Sequence, residues 1–323
     1  MNILVVGAGA VGGYFAGRLL EADRDVTILV RPRRAAELDK FGLHIVSIAG
    51  DVHLPSPRTV SSDTLDRPFD LVLLSCKAYD LESAMNSFAK AVGPSTTILP
   101  LLNGIRHLDA LGQRFGREHV LGGQCLLSST LVAEGRIVHL NDSHSLTFGE
   151  QDGAISVRVE AITSLLSGAR FDSWPSTTIV QDMWEKWIFI ASLAAISSLM
   201  RGNIGDIVAG GADALGVELL DECCAIAAHA GFVPRPDFLT RTRPMFRVSG
   251  SPLAASMLRD IERGAPVEAD HILGDLLSRA DASHQGRSLL AIALAHVKTY
   301  ETSRERKNLS QILASDCAGE RRH

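Results

Sequence analysis

The chain opens on MNILVVGAGAVGGY, and no other stretch limits its fold so sharply. Residues 2–6 form an apolar run without the polar alternation of a half-exposed strand. Such a run suits a central strand of a parallel sheet, covered on both faces. Glycines follow at positions 7, 9 and 12 in the G-x-G-x-x-G spacing, and helical periodicity resumes through Val11, Phe15, Leu19 and Leu20. Strand, glycine turn and helix in that order specify a βαβ unit that binds a dinucleotide. Gly7 permits the tight turn, Gly9 lets the backbone approach a pyrophosphate, and Gly12 lets helix and strand pack closely. The helix N-terminus adds N–H donors and the positive end of a dipole. Ala8, Ala10 and Val11 complete the loop expected to hold the cofactor. A glycine-rich turn without a ligand is the plainer alternative.

The second strand, DVTILVR at 25–31, ends on Arg31, with Arg33 and Arg34 close behind. An NAD-specific site places Asp or Glu there to bind the ribose 2′-hydroxyl. A guanidinium instead fits a 2′-phosphate, so the expected cofactor is NADP(H), against the alternative of a solvated basic loop. Lys77 follows the apolar run LVLLSC, and Asn103 follows ILPLL. Both are expected at the carboxyl ends of parallel strands, where such folds bind ligands, although polar residues after strands are common.

Further strands are expected within 43–48, 69–78, 96–104 and 119–127. GRIVHLNDSHSLTFGE at 135–150 reads as a hairpin turning at Asn141–Ser143, so antiparallel strands should join the sheet late. After FDSWPS at 171–176 the pattern turns helical, with segments at 181–201, 213–230, 252–263, 266–280 and 286–300. The expected fold is an α/β Rossmann domain over residues 1–175 with a doubly wound, mostly parallel sheet. An all-α domain over 176–301 and a polar tail over 302–323 follow. The 323 residues are ample for two domains.

The formal net charge of -5 offers no basic surplus for nucleic acid. The apolar run at 187–200 falls short of the roughly 20 residues that span a bilayer, and no secretory leader is evident; a cytoplasmic protein is expected. Five cysteines without a CxxC pair suit a reducing compartment. The neighbours Cys223 and Cys224 read as two helix positions rather than a redox switch. No His or Cys spacing suggests a metal. A small-molecule substrate and, with apolar helical faces, a possible homodimer complete the expected partners.

DMWEKWIFIASLAA at 182–195 sets a lysine at the head of an apolar helix. Lysine is seldom buried without a partner. Reduction of a ketone by a nicotinamide needs a group to hold the carbonyl oxygen and protonate it, and Lys186 can do both if desolvation lowers its pKa. The cleft between a cofactor domain and a helical domain is the expected substrate site. The alternative for Lys186 is a surface pair with Asp182 one turn earlier. Glu268, two residues after Pro266, suits a helix start as well as a site.

GAGAVG, LVR, CKAYD, LNG, MWEKW, ASMLRDI and VEADHILG occur in the order and spacing of the ketopantoate reductase family, so the chain resembles that family over about residues 1–300. The resemblance implies a Rossmann domain followed by a helical domain like that of 6-phosphogluconate dehydrogenases. It implies NADPH-dependent reduction of 2-dehydropantoate to pantoate, a step of pantothenate biosynthesis. By the same resemblance Lys186 is the proton donor on the keto oxygen, and Glu268 steers the hydroxyl and the lysine. Ser256 binds the substrate carboxylate, Asn103 lies between nicotinamide and substrate, Lys77 lines the cleft, and Arg31 meets the 2′-phosphate. The chain departs from the family four and eight residues after the lysine, where asparagines bind the polar end of ketopantoate. Here those positions are Ile190 and Ala194. The reducing residues are retained while the hydrogen-bonding face is lost, which favours a more apolar 2-oxo acid unless Ser197 or Asn203 compensates. A non-enzymatic NADPH sensor on the same fold is the alternative from another class; retention of both Lys186 and Glu268 argues against it.

Overall fold

The computed structural model describes residues 1–281 and 288–319, with side chains described as far as residue 310. The chain divides into two compact units, the second beginning at Trp184. The division falls later than the expected break near Pro175. The reason is local: Asp172–Pro175 pairs as a strand with the first unit's second sheet, and Ile179 and Met183 bury themselves in the first unit's core.

In the first unit β1 (Asn2–Val6) leads through α1 (Ala10–Glu21) to β2 (Asp25–Leu29), and α2 (Pro32–Phe41) leads to β3 (Leu43–Val46). The short strands β4 (Val52–Leu54) and β5 (Thr59–Val60) precede β6 (Leu71–Leu74), α3 (Leu81–Phe88), β7 (Thr97–Pro100) and α4 (Arg106–Phe115). The long strands β8 (Gly122–Leu131) and β9 (Ile137–Gly149), then α5 (Val157–Leu166) and β10 (Asp172–Pro175), complete it. A parallel sheet runs in the order β5-β2-β1-β6-β7. Ile3 and Val5 enter one core with Phe15 and Leu19 of α1, and Leu4 and Val6 enter the other with Phe88, Leu108 and Leu111. Burial on both faces explains why β1 shows no polar alternation.

The second sheet, β10-β9-β3-β4 with β8 on β9, is mixed. Its antiparallel pairing begins with β3 and β4, earlier than expected. The glycine face of α1 lies against it: a Cβ on Gly13 or Gly17 would fall 2.5 Å from Ile137 or Ile45. The expected hairpin at 141–143 is corrected. β9 runs continuously, and the turn lies earlier, between β8 and β9. Leu127 pairs with His144 and Ser129 with His139, so residues 140–143 face Ser128 alone. The Asn-Asp-Ser run therefore forms a bulge, held by His139, whose Nδ1 meets Ser47 Oγ at 2.9 Å and whose Nε2 meets the Ser143 carbonyl at 3.0 Å.

The second unit is helical, with no strand among its described residues. It comprises α6 (Ile179–Met200, whose first turn belongs to the first unit), α7 (Ile204–Ala209), α8 (Asp213–His229), α9 (Pro236–Met245), α10 (Ser256–Glu262), α11 (Asp275–Ser278) and α12 (Leu289–Gly319). A π-helical turn, Asp270–Gly274, leads into α11. Helix α9 went unforeseen, because PDFLTRTRPM has little apolar periodicity. Arg235 just before it binds buried Glu185 through Nε at 2.8 Å and Nη2 at 2.6 Å. Helix α12 continues past position 301, where a polar tail was expected. Its polar residues tie it back instead: Tyr300 donates to the Ala265 carbonyl at 2.8 Å and Arg304 to the Gly264 carbonyl at 2.7 Å. Residues 286–287 of the last expected segment, residues 320–323 of the tail and the side chain of Cys317 lie outside the described residues. Among the described residues no helix is long and apolar enough to cross a membrane.

Candidate active site

The glycine loop sits at the carboxyl end of β1. Gly7 adopts φ +93°, and a Cβ there would lie 2.4 Å from the Ser75 carbonyl oxygen. A Cβ on Gly12 would lie 2.1 Å from the Gly7 carbonyl oxygen. Both positions therefore require glycine, as the motif predicts. Gly9 differs: its φ of -75° suits any residue, and a Cβ there meets no atom within 4 Å. What glycine leaves at position 9 is open space against the backbone, the cradle a pyrophosphate needs. Gly9 is also the N-cap of α1, whose first turn carries no acidic residue, so nothing there offsets the positive end of the helix.

Neighbouring strands pin the loop. The Gly7 N–H donates to the Leu29 carbonyl and the Ser75 N–H to the Val6 carbonyl, both at 3.0 Å. Arg34 Nε donates to the Ala8 carbonyl and its Nη2 to the Gly135 carbonyl, both at 2.9 Å. The three arginines after β2 thus divide their work. Arg34 braces the loop, with a side chain only 12% exposed, whereas Arg31 and Arg33 stand open at 67% and 89%. Arg31 Nη2 lies 2.8 Å from Asp80 Oδ1, a contact that holds the Arg31 pKa above its ordinary value. Neither the bracing role of Arg34 nor the partner of Arg31 was foreseen. An aspartate just ahead of a helix reads as an N-cap, and a third basic residue in a run reads as more of the same charge.

Half-buried Lys77 follows β6, and its carbonyl accepts the Asp80 N–H at 2.9 Å. Half-buried Asn103 follows β7, just before Gly104 at φ +74°. Strands β2, β1, β6 and β7 are adjacent and parallel. The fold therefore brings the glycine loop, Arg31, Lys77 and Asn103 to one edge of one sheet, as the sequence predicts. These residues suit a dinucleotide: backbone N–H groups for the pyrophosphate, guanidinium groups beyond β2, and polar side chains farther along the edge.

In the helical unit Lys186 is half-buried between buried Glu185 and Trp187. Ile190 and Ala194 follow at one-turn intervals on the same helix face, Ile190 half-buried and Ala194 only 3% exposed. Asp182 accepts hydrogen bonds from Ser176 Oγ at 2.5 Å and Thr178 Oγ1 at 3.4 Å. Exposed Ser256 is the first residue of α10, and half-buried Glu268 lies just ahead of the π turn. Helix α6 is bonded to both segments. Trp187 Nε1 donates to the Ile272 carbonyl at 2.9 Å, and the Ala255 N–H meets Ser197 Oγ at 3.5 Å. Lys186, Ser256 and Glu268 thus sit on one framework with α6 as its spine. Trp184 stacks on Phe232 at 4.9 Å, and Arg279 lies 5.5 Å from the indoles of Trp184 and Trp187.

The two residues that could have replaced the missing asparagines are engaged elsewhere. Ser197 is fully buried at Ala255, and Asn203 caps α7 by accepting the Asp206 N–H at 2.9 Å. Burial pushes the thiols of Cys223 and Cys224 up to about 12. Among the described residues no group of His, Cys, Asp and Glu could hold a metal ion.

A glycine-loop Rossmann unit followed by a helical unit with a half-buried lysine defines a nicotinamide-dependent oxidoreductase acting on a CH–OH group. The chain belongs to the ketopantoate reductase PanE/ApbA family, whose N-terminal model matches residues 3–153 and whose C-terminal model matches residues 178–301. It is 36% identical over 310 residues to a Bacillus subtilis protein named as an uncharacterized oxidoreductase, YkpB, covering 94% of this chain and all of that one. It is 27% identical over 299 residues to a Mesorhizobium japonicum 2-dehydropantoate 2-reductase, covering 84% of this chain and 89% of that one. Among solved structures, 2-dehydropantoate 2-reductase from Methylococcus capsulatus superposes with a TM-score of 0.82 at 25% identity, covering 94% of this chain and 98% of that one.

Proposed function

We propose that the protein reduces a 2-oxo acid to the 2-hydroxy acid with NADPH, as a cytoplasmic enzyme. One observation carries this reading. A half-buried lysine followed by apolar residues one and two turns on sits on a helix hydrogen-bonded to the segments that carry Ser256 and Glu268, an arrangement that a cofactor sensor has no use for. The loop of Gly7, Ala8, Gly9, Ala10, Val11 and Gly12 holds the pyrophosphate, Arg31 meets the 2′-phosphate, and Lys77 and Asn103 line the nicotinamide end. When bound, the cofactor supplies a hydride to the carbonyl carbon. Lys186 Nζ holds the keto oxygen and gives it a proton, and the lysine is reprotonated from solvent. Glu268 orients the substrate hydroxyl and the ammonium, and Ser256 takes the carboxylate.

2-Dehydropantoate is the leading substrate, by analogy with the named relatives, and would place the enzyme in pantothenate biosynthesis. A more apolar 2-oxo acid is the second reading, supported by Ile190 and Ala194 on the lysine's face and by the engagement of Ser197 and Asn203. A site built without hydrogen-bond partners for a substrate hydroxyl discriminates poorly in its favour. A homodimer suits either reading. The test follows NADPH absorbance against a panel of 2-oxo acids, with Lys186→Ala alongside. Turnover lost in Lys186→Ala while NADPH binding persists is the expected result. Tight NADPH binding without turnover on any 2-oxo acid would overturn the enzyme reading, and undiminished turnover in Lys186→Ala would overturn the mechanism.

A further inference from the structure

The acid that an NAD site carries at the end of β2 is replaced here by Arg31, yet a carboxylate reaches the same place from the other side of the fold. Asp80 stands beyond the end of β6, and β2 and β6 flank β1. Neighbouring strands lie about 4.8 Å apart, so the 2.8 Å contact between Arg31 Nη2 and Asp80 Oδ1 closes over the carboxyl end of β1, where the phosphate loop begins. Asp80 is the N-cap residue of α3, but its side chain makes no capping hydrogen bond. A capping aspartate ordinarily accepts an N–H of the helix's first turn. Here the carboxylate turns to the guanidinium instead.

We propose that Asp80 sets the protein's cofactor preference by competing with the 2′-phosphate for Arg31. The inference rests on the nicotinamide reading above and assigns a residue to its selectivity. A 2′-phosphate arriving at Arg31 meets a guanidinium already matched by a carboxylate, and that carboxylate repels it. A bare 2′-hydroxyl suffers no repulsion and can donate to the carboxylate. Asp80 therefore weakens NADPH binding relative to NADH, and the site keeps a moderate preference where Arg31 and Arg33 without Asp80 would give a steep one.

The test is Asp80→Asn, measured as dissociation constants for NADPH and NADH by fluorescence titration of the full chain. Asparagine caps helices as well as aspartate, so the fold is retained, and thermal melting checks it. The expected result is a rise of about tenfold in Kd(NADH)/Kd(NADPH), equivalent to about 1.4 kcal/mol. Asp80→Glu, which keeps the carboxylate, returns the ratio toward that of the parent protein. An unchanged ratio in Asp80→Asn, or a fall showing that Asp80 orients Arg31 for the phosphate, overturns the proposal. Failure of the parent protein to bind either dinucleotide would instead overturn the nicotinamide reading itself.

Discussion

Gly9→Ala separates a phosphate cradle from a structural turn. Position 9 has φ -75° and ψ -166°, which alanine adopts without strain, and its Cβ meets nothing within 4 Å. Replacing glycine stiffens the unfolded chain, worth about 0.4–1 kcal/mol in favour of folding. Alanine is a poorer N-cap than glycine, which costs about as much. These terms offset, so the melting temperature should move by no more than about 2 °C for a unit of this size. The cofactor encounters the full effect. A methyl group in the open space holds the pyrophosphate off the backbone N–H groups, and each charge-assisted hydrogen bond lost costs about 1.5–3 kcal/mol. Loss of one or two raises the NADPH dissociation constant about 100-fold. Fluorescence titration and differential scanning calorimetry read the two quantities separately. Gly12→Ala is the contrast: its Cβ would meet the Gly7 carbonyl oxygen at 2.1 Å, so stability itself falls, by about 1–3 kcal/mol. A folded Gly9→Ala protein that binds NADPH as the parent does would refute the cradle.

Trp187→Phe removes the indole hydrogen bond to the Ile272 carbonyl, at a cost of about 0.5–1.5 kcal/mol. Denaturant unfolding should show it, with kcat lowered as the Glu268 segment shifts and NADPH affinity unchanged; parental stability would count against the hydrogen bond as the link between α6 and the π turn. Ile190→Asn adds a hydrogen-bonding group to the Lys186 face. Preference for 2-dehydropantoate over its analogue lacking the hydroxyl, measured by competing the two substrates, should rise about tenfold or more, and an unaltered preference would remove Ile190 from the substrate's surroundings. With thiols pushed up to about 12, Cys223 and Cys224 carry only about one part in ten thousand of the reactive thiolate at pH 8. Raised pKa values keep the thiols protonated until the pH climbs toward them, so alkylation of the folded protein at pH 8 should leave both unlabelled by mass spectrometry. Rapid labelling of either would reopen the redox reading.

What could be read from the chain was what lies close together along it. The glycine loop was legible because strand, turn and helix occupy consecutive residues, and Gly7 and Gly12 each answer to an atom nearby in the fold. Arg31, Lys77 and Asn103 were legible because each follows an apolar run, and parallel strands deliver their carboxyl ends to one edge. The Asn141–Ser143 bulge was misread because Asn, Asp and Ser favour turns wherever they cluster, and only the pairing with β8 shows that the strand continues. Asp80 and Arg34 were hidden because their partners belong to other elements: Arg31 across β1, and the Ala8 carbonyl in the glycine loop. The framework around Lys186 depends on the Trp187 bond to Ile272, and no local pattern announces a contact of that span.

The polar residues of α6 bear on the substrate more than their number suggests. Beyond Lys186 the helix carries Ser192, Ser197 and Ser198, and all are fully buried. Ser192 donates to the Ile188 carbonyl at 2.8 Å, and Ser197 is held at Ala255. The hydroxyls of Ser192 and Ser197 serve the helix and its contacts, and Ser198 Oγ is buried without a hydrogen-bond partner among the described residues, leaving the face of Lys186, Ile190 and Ala194 with one charge and then only hydrocarbon. A lysine there can hold a keto oxygen with no help from the positions one and two turns on. A substrate hydroxyl reaching toward those positions would lose water and gain no partner, which costs free energy. The same helix therefore argues for the reduction of a 2-oxo acid and against tight selection of a hydroxylated one. On the proposed reading the reaction and the substrate's polarity are set by separate residues on one face, so Lys186→Ala and Ile190→Asn should act independently, the first on kcat for every substrate and the second on the ratio between substrates.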